Sequence, residues 1–492
     1  MNIQKNNNFS GHLLLSFFQS INLVGIILFA LCMLVLNTAN AVEKKKDQLP
    51  RLLVLTDIGD DPDDEQSLVR LLVYANKFDI EGFVTELWWK DTHNGRHGVL
   101  SSDNQMKLLH KAIDLYDKVQ PNLEHHEKGY PKAKDLHKIV KRGKVNIQMT
   151  LSAPKGDPLQ WIGSGQDTEG SNYIIEVVDR DDSRPVDICV WGGTADLAQA
   201  LLRVREERTP AEVAEFVSKI RVHAISDQDD TGPWIRENFP KLFYILDHDP
   251  NGDKWQSCYR GMFYGGDESL TSLDWINEYV RHDHGPLGEF YPPKTNTNKN
   301  PHGALKEGDT PSWFYFYPNG LNIPDHPEYG GWGGRYKYNG TFWQDAADDV
   351  DGHPSGRASV YRWRPYFQND FAARMDWCVK EFNEANHPPG PAINGDKSLK
   401  PATITVKPGQ HIDLNAAGST DIDNDKLTYE WKFYPEAGTY LGQLDIKDAK
   451  NMTSSFVVPK DASGAELHII LVLTDNGSPS LTSYKRLIIR CE

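Results

Sequence analysis

The sequence has little cysteine and no surplus of basic charge. Its 492 residues include 5 cysteines, none of them spaced as a C-x-x-C pair, so neither a zinc–thiolate site nor a cysteine nucleophile is indicated. The formal net charge is −16 and no basic block stands out, which argues against nucleic acid and anionic membrane surfaces as partners. The sequence shows no internal repeat. It therefore favours a neutral or cationic ligand, or an anion held through a metal ion.

The start of the chain has the pattern of a secretory signal peptide. An apolar run from Leu23 to Leu36 is followed by the small residues Ala39 and Ala41 and then by a polar stretch. A membrane anchor is the alternative, but this run would span only about two-thirds of the ~30 Å hydrocarbon core. We therefore predict that residues 1–41 are removed, and that the chain is secreted or periplasmic without stable membrane insertion.

From residue 50 to 386 the sequence alternates between strand and helix patterns. Residues 51–56 form an apolar run typical of a buried strand, and leucines recur at helical spacing from Leu68 onwards. Residues 209–212 have the sequence of a capping box with proline at the first helical position, which predicts the start of a helix. This alternation predicts an α/β domain: a mostly parallel sheet with helices on both faces.

A second domain is predicted after residue 386. Residues 387–398 are rich in proline and glycine, as linkers are. Residues 399–492 contain short alternating strand patterns separated by turn residues. This pattern predicts a β-sandwich of the Ig/PKD-like type.

A dense acidic loop follows the first predicted strand. Five carboxylates lie within residues 57–64, at the strand end where ligands of open α/β sheets bind. Carboxylates at this density repel one another unless a cation, a proton or solvent compensates, and this many oxygen donors suit Ca²⁺. A helix cap is the alternative: it would explain residues 61–64 but not Asp57 and Asp60.

The segment from Thr56 to Asp64 resembles the opening loop of the nucleoside hydrolases. It resembles more closely the nucleoside hydrolase-like Sde182 group, which is typified by a secreted cellulose-binding protein. That group couples this domain to a C-terminal sandwich, so the resemblance covers nearly the whole mature chain. It implies one Ca²⁺ ion at the base of a pocket, gripping a sugar diol and a water that a carboxylate deprotonates.

The resemblance also implies roles for particular residues. The implied metal ligands are Asp57, Asp64, the main-chain carbonyl of Thr194, and Asp309. Gly59 stands where the nucleoside hydrolases carry their metal-binding catalytic aspartate. The candidates for the catalytic carboxylate are therefore Asp57, Asp60 and Asp61.

Several residues are candidates for binding the substrate. The resemblance implies Asp63 together with Glu237 and Asn238, which match a sugar-binding Glu-x-Asn segment with one residue fewer. Asp227 and Asp229 follow a predicted strand and precede a predicted helix. These two aspartates either line the same pocket or form an acidic turn that caps the helix.

Tryptophans interleave with glycines in the loop-rich part of the first domain, with Trp332 between two glycine pairs. Aromatic faces suit the apolar faces of sugar rings, so Trp332 is a candidate substrate-binding residue. Packing inside the scaffold is the equal alternative.

A second acidic loop lies in the predicted sandwich, where Asp421, Asp423 and Asp425 alternate with other residues. It is not an EF-hand, because Lys426 replaces the required glycine and Lys432 replaces the final glutamate. Either a second Ca²⁺ ion or a turn stabilised by aspartate side-chain hydrogen bonds fits this pattern.

Two functions follow from the sequence. The first is a secreted Ca²⁺-dependent hydrolase of N- or O-glycosyl bonds, acting on a carbohydrate or a nucleoside-like glycoside. The second is a non-catalytic protein that binds a cellulose-like polysaccharide on a hydrolase scaffold. The acids retained at Asp63, Asp64 and Asp309 favour the enzyme.

Overall fold

The computed structural model describes residues 49–59, 62–88, 102–146, 158–293 and 304–492. The predicted signal peptide with its cleavage site at Ala41 lies outside these ranges, and so do Asp60 and Asp61. Within the described ranges, no helix is long and apolar enough to cross a membrane.

A mostly parallel sheet forms the centre of the first region. In the described chain its strands are β1 (Arg51–Thr56), β2 (Asp79–Trp88), β3 (Val140–Asn146), β4 (Val186–Val190), β5 (Ile220–Ala224), β6 (Phe243–Leu246), β7 (Tyr336–Tyr338) and β8 (Trp343–Asp345). Their order across the sheet is β3-β2-β1-β4-β5-β6-β8-β7. All neighbours pair in parallel except β7 and β8, which pair antiparallel.

Helices cover both faces of this sheet. The α-helices of the described chain are α1 (Asp63–Val73), α2 (Ser102–His126), α3 (Ala133–Leu136), α4 (Glu169–Asp179), α5 (Ala195–Glu207), α6 (Pro210–Ser218), α7 (Thr231–Asn238), α8 (Leu273–Ile276), α9 (Gly285–Phe290), α10 (Thr310–Phe314), α11 (Ala358–Tyr361) and α12 (Arg364–Asp376). Helices α1, α2 and α12 contribute to the core on one face, and α4, α5 and α6 to the core on the other. The predicted α/β architecture is confirmed.

The central strand β1 shows why its sequence is uniformly apolar. All six of its residues are buried. Leu52 and Val54 belong to one core, whereas Leu53 and Leu55 belong to the other. Side chains alternate between the faces of a strand, and a parallel strand covered on both faces is therefore apolar at every position.

The C-terminal region is the predicted β-sandwich. Its strands are β9 (Ala402–Val406), β10 (His411–Asn415), β11 (Thr428–Phe433), β12 (Ile446–Lys447), β13 (Thr453–Val457), β14 (Glu466–Thr474) and β15 (Thr482–Cys491). They form one sheet in the order β10-β13-β12 and another in the order β11-β14-β15-β9. A separate apolar core, with Trp431 and Leu471 among its buried residues, holds the two sheets together.

The sandwich packs directly on the first region. Ile470, Val472 and Tyr484 of the sandwich are buried in the core of that region. Arg486 is fully buried as well, and its guanidinium donates to the carbonyl oxygens of Leu321, Tyr329 and Gly330. One sheet of the sandwich therefore shares a buried seam with the first region.

Candidate functional site

Three carboxylates converge beyond the carboxyl end of β1. Asp63 and Asp64 occupy the first turn of α1, and Asp309 immediately precedes α10. Ligand oxygens of the three side chains lie within 4.8 Å of one another. Asp64 is 3% and Asp309 is 2% exposed, whereas Asp63 is half-buried. The structure therefore assembles a mostly buried acidic cluster from residues that are distant in sequence.

Hydrogen bonds hold Asp64 in place within this cluster. The Thr56 hydroxyl donates to Asp64 Oδ1 and accepts from the Ile58 amide at 3.1 Å. Thr56 is the last residue of β1, so the strand itself orients the carboxylate.

Asp57 lies against the loop that follows β4. It is 5% exposed. A Cβ atom added to Gly192 would come within 2.8 Å of the Cβ atom of Asp57. The close approach of the two loops therefore requires glycine at this position.

Asp309 carries the clearest electrostatic signal. Burial raises its pKa well above the usual range, and the charges of Asp63, Asp64 and Asp57 raise it further, although Lys306 opposes them. Within the described chain, Asp309 Oδ2 is buried and has no hydrogen-bond partner. A buried oxygen of this kind needs a proton or a cation.

The donors in this cluster fit Ca²⁺. All of them are carboxylate oxygens, which are the hard ligands that Ca²⁺ takes in sets of six to eight. The ammonium group of Lys306 lies 3.1 Å from Asp63 Oδ2 and compensates part of the negative charge. Asp63, Asp64 and Asp309 would hold the ion, with Asp57 close by.

Thr194 is held at the start of α5 by Asp229. The amide and hydroxyl of Thr194 donate to the Asp229 carboxylate at 2.8 and 3.0 Å. The same carboxylate accepts from the amide and hydroxyl of Thr231 at 2.9 and 2.7 Å. The Thr194 carbonyl, the predicted metal ligand, accepts from the Ala198 amide at 2.9 Å. Asp229 thus joins two loops at the sheet edge, and these bonds assign it a positioning role.

Comparison with known proteins identifies the family. Residues 51–336 match the family described as "Cellulose-binding Sde182, nucleoside hydrolase-like domain". Residues 411–491 match the family described as "Cellulose-binding protein Sde0182, C-terminal domain". The chain belongs to the Sde182 family.

A solved structure is similar to most of this Sde182 family member. It is a nucleoside hydrolase-related hypothetical protein from Saccharophagus degradans, described as associated with carbohydrate metabolism. It is 32% identical, the alignment covers 90% of this chain and 100% of that one, and the TM-score is 0.71. The fold of this chain is therefore nucleoside hydrolase-like.

More distant structures are also similar to parts of this Sde182 family member. The effector protein XOO4466 is 10% identical, with 70% of this chain and 99% of that one covered and a TM-score of 0.34. The PKD domain from the KIAA 1837 protein is 15% identical, with 19% and 81% covered and a TM-score of 0.15. A search of proteins with curated descriptions found no match.

Other predicted substrate-binding residues make contacts within the protein. Asp227 pairs with Arg236 through two hydrogen bonds of 2.8 and 2.7 Å. Asn238 ends helix α7, where it accepts from Arg205 at 2.8 Å, and Glu237 beside it is exposed. These residues are not part of the cluster formed by Asp63, Asp64 and Asp309.

Trp332 is buried in the seam between the two regions. It is 1% exposed and its indole N–H donates to the Tyr484 hydroxyl at 3.3 Å. Its ring contacts those of Phe314, Tyr317 and Phe367. A sugar would have no access to this ring, so the structure assigns Trp332 to packing, the alternative to sugar binding.

This Sde182 family member also contains a buried pair of acids that was not predicted from the sequence. Glu86 in β2 is 1% exposed and Asp196 in α5 is 0% exposed. Glu86 accepts from the Asp196 amide at 2.9 Å. Burial raises the pKa of both groups, and for Glu86 the charges of Asp196 and Asp229 add to this effect. One sequence feature could have pointed to this pair: Glu86 is the first acid after the apolar run of the second strand.

A further buried acid pair lies where β6 and β8 end. Asp247 and Asp345 are each 1% exposed, and each has one buried oxygen with no hydrogen-bond partner in the described chain. The Tyr336 hydroxyl lies 2.7 Å from Asp247 Oδ1 and 3.0 Å from Nε2 of His223. Burial raises the pKa of Asp247 to about 7, and burial together with the charge of Asp247 raises that of Asp345 well above its usual value. The neutral, buried Cys258 thiol completes the surroundings.

Proposed function

We propose that this protein is a Ca²⁺-dependent hydrolase of glycosyl bonds, acting on a carbohydrate or a nucleoside-like glycoside. The observation that carries the proposal is the buried, unpartnered Oδ2 of Asp309 beside Asp63 and Asp64. The family's nucleoside hydrolase-like domain supports the reaction class, and its cellulose-binding description supports a carbohydrate ligand.

The residues of the site would have distinct tasks. A bound Ca²⁺ ion would supply Lewis-acid chemistry and orient a sugar diol and a water molecule. Asp64 is held by Thr56, so its carboxylate would meet the ion without reorganisation. Asp57, packed against Gly192, is the described candidate for taking a proton from water, and Asp60 and Asp61 are the other two candidates.

Calorimetric titration of the metal-stripped protein with Ca²⁺ tests the metal site. We expect the Asp309→Asn variant to bind at the sheet edge at least tenfold more weakly, because it loses a buried charged ligand. Asp114→Asn is the matched control, since Asp114 is 68% exposed and lies on α2 away from the cluster. An unchanged Ca²⁺ affinity in Asp309→Asn would show that this cluster does not bind the ion.

A screen for turnover of glycosides and nucleosides tests the reaction. Hydrolysis that depends on Ca²⁺ and is lost in Asp309→Asn is the expected result. The control variant Asp114→Asn should hydrolyse the same substrates at the wild-type rate. Ca²⁺ binding without turnover of any glycoside or nucleoside would contradict the proposal that the protein is a hydrolase.

Polysaccharide binding without catalysis is the second candidate function. It is favoured by Gly59, which stands where the nucleoside hydrolases carry their catalytic aspartate, and by the cellulose-binding description of the family. A cellulose pull-down measures it directly. Retention of the protein on cellulose together with no turnover in the screen would favour this function.

We also propose that the chain is exported and cleaved after Ala41. The apolar run and the small residues before the predicted cleavage site support this proposal. N-terminal sequencing of the protein from its native source tests it, and the expected first residue is Val42.

A further inference from the structure

The acidic loop between β10 and β11 wraps around one of its own carboxylates. Asp421 Oδ1 accepts from the amides of Asp423 and Asp425 at 2.9 and 3.0 Å. Ligand oxygens of the three aspartates lie within 4.8 Å of one another. The other oxygen, Asp421 Oδ2, is buried and has no hydrogen-bond partner in the described chain. The hydrogen bonds of the turn therefore satisfy only one of the two oxygens of the Asp421 carboxylate.

A second loop of the sandwich brings a buried carboxylate to this place. Asp475 follows β14 and is 3% exposed. Its Oδ1 accepts from the amides of Gly477 and Leu481 at 3.0 and 2.8 Å. Its Oδ2 is buried without a partner in the described residues. Burial raises the pKa of Asp475 to about 6, and the charge of Asp421 adds to this rise. The next residue, Asn476, accepts from the Lys426 amide through its side-chain oxygen at 2.6 Å, so the two loops are in contact.

The segment that connects the first region to the sandwich contributes a third buried oxygen without a hydrogen-bond partner in the described chain. Asn386 is 6% exposed, and its side-chain NH₂ group donates to Asp475 Oδ1 at 3.0 Å and to the Pro479 carbonyl at 2.8 Å. Its side-chain oxygen is buried and has no partner in the described chain. The next residue, His387, donates its amide to Asp423 at 2.8 Å. Asn386, Asp423 and Asp425 line one depression of about 460 Å³.

We propose that Asp421, Asp423, Asp425, Asp475 and Asn386 form a Ca²⁺ site at the junction of the two regions. Three buried oxygens, from Asp421, Asp475 and Asn386, have no partner in the described structure, and buried polar atoms of folded proteins are normally satisfied. Four carboxylates and one amide oxygen are the hard donors that Ca²⁺ takes, with water completing the shell.

The charge at this place also calls for a cation. In the described chain, an ion pair joins His387 to one of these four carboxylates, Asp423. One imidazole cannot balance four acids, and a divalent ion would remove most of the repulsion. The bound ion would tie Asn386 of the connecting segment to two loops of the sandwich. Ca²⁺ would therefore stiffen the connection between the two regions.

Titration calorimetry of the metal-stripped mature chain with CaCl₂ tests the site. We expect Asp475→Asn to weaken one Ca²⁺-binding event at least tenfold, because Asn keeps the three hydrogen bonds to Oδ1 but removes the charged ligand. Asp309→Asn should leave this event unchanged, which separates the site from the proposed catalytic centre. Asp413→Asn is the matched control, because Asp413 is in the same sandwich and its side chain is 87% exposed.

Thermal unfolding with Ca²⁺ and with a chelator gives a second readout. The wild type and Asp413→Asn should melt at a higher temperature with Ca²⁺ than with the chelator, and Asp475→Asn should lose part of that shift. Asp425→Asn replaces it if Asp475→Asn does not fold, since the Asp425 side chain is half-buried. Equal Ca²⁺ affinity and equal shifts in the wild type and these variants would overturn the proposal.

Discussion

The large-sheet region and the sandwich differ in how deeply they bury their acidic clusters. At the sheet edge, Asp64 and Asp309 are 3% and 2% exposed, and the cluster joins residues nearly 250 positions apart in the chain. In the sandwich, three of the four acids come from one loop, residues 421–425, and are half-buried. Only Asp475 is deeply buried there.

This difference teaches where a bound ion would matter more. A buried carboxylate loses its hydration, so its charge must be compensated locally, whereas water compensates a half-exposed one. We therefore expect the sheet edge to bind Ca²⁺ more tightly than the sandwich. The four predictions below test the contrast between the regions, and the seam that joins them, from the largest expected effect to the smallest.

Removing the sandwich should have the largest effect. A chain ending at Asn386 would expose the core residues that now cover Ile470, Val472 and Tyr484, and large exposed apolar patches promote aggregation. We expect the truncated protein to be insoluble or to lack a cooperative thermal transition. A soluble protein with a cooperative transition would show that the first region is stable alone.

Trp332→Ala should destabilise the protein by about 3–5 kcal/mol, the usual cost of truncating a buried tryptophan. The ring fills the seam between Phe314 and Tyr484, so its loss would leave a cavity there. Urea unfolding measures this free energy. Trp255→Ala is the control: because Trp255 is 40% exposed, this variant should lose much less of the free energy of unfolding. Equal losses would contradict the packing role of Trp332.

Asp309→Asn should have opposite effects with and without Ca²⁺. Without the ion, the variant should unfold at a higher temperature than the wild type, because it removes one carboxylate from a buried cluster of like charge. With saturating Ca²⁺ the order should reverse, since the wild type gains binding energy that the variant lacks. Two melting curves for each protein decide this. A variant that is less stable under both conditions would show that Asp309 stabilises the fold without a metal.

Asp247→Asn should change the pH dependence of stability. The pKa of Asp247 in the folded protein, about 7, lies above its unfolded value, so its contribution to stability is complete below about pH 4 and is lost as the pH rises to 7. The loss is at most about 1.4 kcal/mol per pH unit for one proton. The variant lacks this titration beside Asp345, Cys258, Tyr336 and His223, so it should gain stability relative to the wild type between pH 5 and pH 8. Urea unfolding at both values measures the difference, and a constant difference would contradict the raised pKa.

Much of the fold could be predicted from local sequence patterns. The apolar run of β1 predicted a central strand, and that strand is buried at all six positions. The capping box at residues 209–212 predicted a helix start, and the Thr209 hydroxyl accepts from the Glu212 amide there. Such signals are contained within a few residues, so no knowledge of the tertiary structure is needed to recognise them.

The candidate site could be predicted only in part. Asp63 and Asp64 lie in one dense acidic loop, and Asp309 was placed with them by resemblance alone. Asp247 and Asp345 were not predicted, because each stands at a strand end and nothing in the sequence around either one points to the other. They meet because β8 pairs with β6, almost a hundred residues earlier in the chain. Pairing between distant strands leaves no local pattern.

The misplaced aromatic candidate has a physical explanation too. Trp332 stands among glycines, which suggested an exposed loop. The structure uses these glycines for close packing: a Cβ atom on Gly333 would come within 2.3 Å of the Tyr315 amide nitrogen. Glycine-rich sequence indicates either a mobile surface loop or tightly packed backbone, and composition alone does not separate the two.

The buried guanidinium of Arg486 limits how this domain pair can evolve. It is satisfied by three main-chain carbonyls of the first region, and its burial lowers its pKa to about 10. A sandwich transplanted onto an unrelated protein would bury a cation without acceptors, or it would not pack against its new partner. The C-terminal region therefore cannot be exchanged between proteins by itself. Recombination would have to transfer the loop of residues 321–330, which carries the acceptors of Arg486, together with it.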